Sequence, residues 1–83
     1  MAKKTEKKYV LYGMSPKRFA PKILNSGKMR ISNSKELINI LSNNYGIKEL
    51  GGLAYDGRCG LYTIYKTRTD KDGRYYVLHI ERK

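Results

Sequence analysis

By number and spacing, the side chains able to do chemistry in this chain are tyrosines and cations: eight Tyr, and 18 Lys plus Arg against 7 Asp plus Glu. A phenol ring stacks on a base or packs on an apolar partner, while ammonium and guanidinium groups meet phosphate oxygens. Together they point to recognition of a polyanion rather than to the making or breaking of bonds. The candidate phosphate contacts are Lys17, Arg18, Lys22, Lys28 and Arg30 early in the chain and Arg58, Lys66, Arg68 and Arg74 late in it. Tyr62 and Tyr75 are the candidate stacking rings. A set of solvated surface lysines is the plain alternative, but a formal net charge of +11 is more than solubility asks of so small a domain.

Other chemistry has little to stand on. Cys59 is the single cysteine, so the chain can form no internal disulfide and assemble no zinc site from thiolates. It reads as a small core residue. His79 is the single histidine and has no second imidazole with which to share a metal; it reads as a strand residue at a partly covered surface. Asp56, Asp70 and Asp72 fall in turn sequences, where side-chain bonding to the backbone explains their type. The glycines fit no phosphate-loop pattern, and no nucleophile can be paired with a base. The expectation is a binding protein that is not an enzyme and that needs no cofactor or metal.

A chain of 83 residues makes one domain with one small core. Its hydrophobic content of 40% suits a folded globule rather than a disordered tail. No apolar run approaches the ~20 residues of a membrane-spanning helix, and the apolar stretch after the lysine-rich start is too short for a secretory signal. A soluble, cytoplasmic protein with no membrane partner is therefore expected. Charge is uneven along the chain: residues 1–30 carry net +8, residues 31–57 net −1, and residues 58–83 net +4.

Few elements are available to position these groups. The segment from Lys8 to Met14 is apolar on both parities and predicts a strand inside a sheet, covered on both faces. Ser15-Pro16 opens a turn that Pro21 closes. Residues 22–31 read as a short hairpin or loop around Asn25-Ser26-Gly27-Lys28, with Met29 and Ile31 inward and Lys28 and Arg30 outward. A helix over residues 34–44 follows from Asn33 as cap, Glu36 bonding back to it, the stripe Leu37, Ile38, Leu41 and Tyr45, and Gly46 as the stop. The remainder reads as three strands, turning at Asp56-Gly57 and again from Asp70 to Gly73, with a bulge at Gly51-Gly52. The fold class is α+β: a basic tail over residues 1–8, then a single domain over 9–83 with one helix packed on an antiparallel sheet of about four strands.

The two turns set the faces. They pair Tyr55 with Arg58 and Thr69 with Arg74. One face then collects Leu50, Ala54, Cys59, Leu61, Thr63, Tyr65, Tyr76, Leu78 and Ile80, a seat for the helix. The other collects Leu53, Tyr55, Arg58, Tyr62, Ile64, Lys66, Arg68, Tyr75, Val77 and His79. Two readings of this second face stand. In one, residues 9–14 with Phe19 and Ile23, or a second copy of the chain, fold over it and the tyrosines become core. In the other it stays open, with rings stacked on bases and cations on phosphates. The surplus cations are expected to gather on one side.

The closing hairpin, Lys71-Asp72-Gly73-Arg74-Tyr75-Tyr76, resembles the sheets with which some integrase arm-binding domains read DNA, although here the helix precedes the sheet. No residue roles are carried over. The whole layout, a strand, one capped helix and an antiparallel meander, is similar to that of several small phage proteins, some anti-CRISPR inhibitors among them. That likeness implies a second class of function, an inhibitor of phage or mobile-element type that docks on a protein or ribonucleoprotein target. The leading expectation is a small basic protein contacting DNA, RNA or a nucleoprotein. A homodimer closed through the second face is the third.

Overall fold

The chain opens with two long strands, β1 (Thr5–Met14) and β2 (Lys22–Ile31), in a computed structural model that describes residues 5–17 and 21–82. They pair antiparallel from Thr5 opposite Ile31 to Gly13 opposite Lys22. Leu24 is the extra residue at a bulge, because Leu11 faces Asn25 while Tyr12 faces Ile23. The Asn25-Ser26-Gly27-Lys28 stretch is thus strand interior and not the turn of a hairpin. Its local turn chemistry yields to a ladder that runs the length of β1. Residues 5–8, assigned by charge to a tail, are the first four of that strand.

Local signals place the helix correctly. In α1 (Ser34–Tyr45), Asn33 Oδ1 accepts the Glu36 N–H at 3.1 Å. The Glu36 carboxylate accepts the Ser32 N–H at 2.9 Å, one residue before the expected one. Gly46 ends the helix in the left-handed region at φ 67°, where a Cβ would be strained, and its N–H donates to the Ser42 carbonyl. A short 3-10 helix (Ile47–Leu50) follows and buries Ile47 completely, so these residues are not strand. Gly51 and Gly52 lie in the connection that follows this turn, and the strand bulge falls elsewhere.

The last three strands are β3 (Ala54–Cys59), β4 (Tyr62–Lys66) and β5 (Tyr75–Glu81). The β4–β5 register is the expected one, from Tyr62 opposite Glu81 to Lys66 opposite Val77. Asp70 builds the turn between them by accepting the Arg74 and Asp72 N–H groups at 2.8 and 2.9 Å. The bond from Arg74 is the main cause holding the Asp70 carboxyl below its usual range.

The β3–β4 turn differs from expectation. It lies at Gly60-Leu61, because Cys59 pairs with Tyr62, and Asp56-Gly57 sits inside β3 where the register shifts. Glycine in the first loop position with φ 61° suits a two-residue hairpin turn. Four residues of β3 change sides as a result, and Leu53 before it, expected on the second face, packs against the core. Tyr55 and Arg58, opposite Tyr65 and Thr63, belong to the helix side; Ala54 and Cys59, opposite Lys66 and Tyr62, do not. Cys59 is exposed and not core, and Leu61 is 73% exposed at the turn tip.

The sheet has five strands in the order β2-β1-β5-β4-β3, every pair antiparallel. β1 is interior, between β2 and β5. The core lies between the sheet and α1: Leu11, Leu78 and Ile80 from the inner strands meet Ile31, Leu37, Leu41 and Ile47, with Tyr9 at the margin. Each such aliphatic side chain contributes ~1.5–3 kcal/mol by leaving water. The Tyr9 hydroxyl donates to Asn25 Oδ1, and the Asn25 amide donates to the Tyr45 hydroxyl, both at 2.6 Å. This chain of bonds ties β1, β2 and α1 together, and burial pushes the Tyr9 phenol above its ordinary pKa. No helix among the described residues is long and apolar enough to cross a membrane.

Candidate nucleic-acid interface

Strand alternation sends Val10, Tyr12 and Met14 of β1 to the side of the sheet away from α1, together with their cross-strand neighbours His79, Val77 and Tyr75 of β5. The β4 residues opposite β5 on the same side are Tyr62, Ile64 and Lys66. From the other flank β2 adds Lys28 and Arg30, paired with Lys8 and Glu6 of β1. Among the described residues, no helix or strand packs over this face. Its rings and aliphatic groups are half-buried by one another and remain accessible.

The aromatic groups form a diagonal row. Tyr12 meets His79 edge-on with ring centroids 5.0 Å apart, and His79 meets Tyr62 at 6.2 Å in a tilted arrangement. Burial among these neighbours lowers the His79 pKa from its ordinary value, so the imidazole is neutral near pH 7. At the opposite corner the Lys66 ammonium lies 4.5 Å from the Tyr75 ring centroid, a cation–π contact. Lys8, Lys28 and Arg30 occupy the β1–β2 corner. Lys28 reaches Glu6 at 3.8 Å with both side chains more than half exposed, a pairing that competes weakly with phosphate.

No family model matches the chain, and no curated protein or solved structure matches it. The site therefore rests on its own geometry.

The structure divides the candidate residues into separate groups. Tyr62, Tyr75, Lys66, Lys28 and Arg30 share the open face. Lys17, Lys22 and Arg74 instead line a cavity of about 600 Å³ where β1 ends, with Tyr75 shared between cavity and face. Arg74 is held by its own turn, 3.0 Å from Asp72 and 3.5 Å from Asp70. Arg68 donates to the Leu50 carbonyl at 3.4 Å and braces the end of the 3-10 helix. Arg58 lies on the helix side of β3, as does Tyr55, which meets Tyr65 edge-on at 6.1 Å. Arg18 and Phe19 lie outside the described residues.

Two expectations are corrected here. The cations do not gather on one side, since Lys35, Lys48 and Arg58 belong to the helix side while Lys8, Lys28, Arg30 and Lys66 belong to the other. Residues 9–14 do not fold over the second face either, because they form the strand β1 within the sheet. Sequence reasoning missed Tyr12, Lys8 and Val10 as members of the face and did not count His79 as a site residue. The alternation of β1, with Tyr9 and Leu11 on one parity and Val10 and Tyr12 on the other, carried part of that signal. The missing part was the pairing of β1 with β5.

Proposed function

We propose that the open face binds single-stranded nucleic acid, stacking bases on its aromatic row and holding the backbone with flanking cations. The observation that carries this reading is the row Tyr12, His79, Tyr62 on an antiparallel sheet face that no described helix or strand covers, with Tyr75 under Lys66 at one corner and Lys8, Lys28 and Arg30 at another. Unstacked bases lie flat on such rings whatever their sequence, and each stacked base is worth ~1–3 kcal/mol. A duplex keeps its bases stacked on one another and out of reach of such rings. Lys8, Lys28, Arg30 and Lys66 outnumber Glu6 and Glu81 on this face, an imbalance that favours an anionic partner over a second copy of the chain.

Salt-titrated binding of labelled single- and double-stranded DNA and RNA tests the proposal. Micromolar or tighter binding of single strands, weaker binding of duplex, and a steep loss of affinity with salt are expected. Absence of single-strand binding at low salt would overturn it. The apolar centre of the face, Val10, Ile64 and Val77, also favours a protein target as a second reading. A pull-down with and without nuclease separates the two, because a protein partner survives digestion.

A further inference from the structure

Tyr75 belongs to two features at once, the open face and the cavity at the end of β1. Tyr12 pairs with Val77, which makes His79 and Tyr75 its two diagonal neighbours on the same face. The row Tyr62, His79, Tyr12 therefore has a fourth ring next in line, and that ring lines the cavity.

The cavity runs round the end of the sheet. Met14 and Tyr75 line it from the open-face side, while Leu24 and Tyr76, half-buried against the core, line it from the other. Gly13 lies opposite Tyr76 and puts no side chain beside Leu24, whose Cδ1 would be 3.4 Å from a Cβ there. Loop packing holds the rim: Pro16 sits so close to Gly73 that a Cβ on the glycine would meet its Cγ at 3.0 Å, and the Lys17 N–H donates to Ser15 Oγ at 3.3 Å. Lys17, Lys22 and Arg74 also line the cavity, and none of its described lining residues is acidic. Asp72 shares a smaller recess with Lys17 but is bound to Arg74 at 3.0 Å. Lys17 and Lys22 are exposed and have no ion pair among the described residues.

We infer that a single strand bound on the open face leaves it past Tyr75 and seats its next nucleotide in this cavity, the base against Met14 and Leu24 and the phosphate on Lys17 and Lys22. This extension rests on the single-strand reading of the face. Two lysines by themselves would hold any anion. What selects a strand is the line of rings that runs into the cavity, so that a backbone already held on the face is carried to the lysines. Four rings and the cavity together give a footprint of about five nucleotides.

Titration of the isotope-labelled full chain with a trinucleotide, a pentanucleotide and an octanucleotide of thymidylate tests the inference, with inorganic phosphate as a parallel arm. Affinity should rise at least ~10-fold from the trinucleotide to the pentanucleotide and then level off. The pentanucleotide should shift the amides of Ser15, Lys17 and Lys22 together with those of Tyr12, Tyr62 and His79. Lys17→Ala with Lys22→Ala should weaken pentanucleotide binding roughly fivefold and make its salt slope shallower by about 1–2, with the Tm unchanged because both side chains are exposed. No shift with any oligonucleotide would overturn both the face and its extension. Shifts confined to Tyr12, Tyr62 and His79 at every length, or unchanged affinity in the double variant, would overturn the extension alone and leave the open face as the site. Shifts of Ser15 and Lys22 of equal size from inorganic phosphate at the same concentration would mean a simple anion site and would overturn it as well.

Discussion

The same five strands present two unlike faces, and their difference separates what holds the fold from what meets a partner. On the α1 side, Leu11, Leu78 and Ile80 are 0–1% exposed and touch one another and the helix stripe. One residue along, on the other side, Tyr12, Val77 and His79 are half-buried with no described element above them. Aliphatic groups fill a volume that water has left, and every methylene removed leaves a void. Aromatic and cationic groups instead keep an accessible ring face and a charged tip. A small domain that needed its sheet only as a support for the helix would have little reason to carry rings and lysines on its far side.

Substitution of neighbouring residues in β5 gives the largest expected contrast. Leu78→Ala should cost ~2–5 kcal/mol of stability in urea denaturation, whereas Val77→Ala should stay within about 1 kcal/mol. Equal losses would mean that the open face is packed against something in solution. Next in size is the double change Tyr12→Ala, Tyr62→Ala, which should weaken single-strand binding by at least tenfold, measured by fluorescence anisotropy. Unchanged affinity would remove the stacking role.

A reciprocal effect should come from the helix side. Asn33→Ala takes away the cap that accepts the Glu36 N–H and should lower stability by ~1 kcal/mol in the same urea assay. Oligonucleotide affinity measured in strand-saturating buffer should not move. Smaller again is the effect of Lys28→Ala with Arg30→Ala, which should weaken binding of all sequences alike and make the salt slope shallower by about 1–2. A changed base preference would contradict a backbone role for these cations.

The smallest expected effect is that of pH. Burial lowers the His79 pKa, so the folded chain takes up a proton less readily than the unfolded one. The contribution of the neutral imidazole to stability is therefore present above about pH 6.5 and is lost as pH falls through the depressed folded value. A phosphate held nearby favours the imidazolium, so oligonucleotide affinity should rise over the same fall in pH while the Tm of the free protein drops. His79→Gln should flatten both curves. An affinity that stays level between about pH 7.5 and 5.5 in the native chain would place the phosphates away from His79.

How much was legible varies with the range of the signal. The helix was read nearly to the residue because Asn33, Glu36 and Gly46 act within one turn of its ends. The β4–β5 register was read because the Asp70 carboxylate and Gly73 define a tight local turn. At β3–β4 Asp56-Gly57 is the stronger local turn signal, yet the turn falls at Gly60-Leu61. The later turn prevails in a structure where Ile47 is committed to the core and strand pairing begins at Ala54, leaving no room for the longer strand that a turn at Asp56-Gly57 would need. Of the candidate site, Tyr62, Tyr75 and Lys66 were legible because they lie on the two strands whose register was correct. Arg58 was misplaced with the turn, and Tyr12 was missed with the strand order.

The amino-acid sequence by itself determined the composition of the surface, the single capped helix and the closing hairpin, since all three depend on residue types or on contacts a few positions apart. Only the tertiary structure decided that β1 lies between β2 and β5, which brings strands from the two basic ends of the chain side by side and sets Tyr12 against His79. Pairing between residues about 70 positions apart leaves no local trace. It is selected by how well whole strands bury their inward side chains together, and that sum belongs to the fold and not to any segment of it.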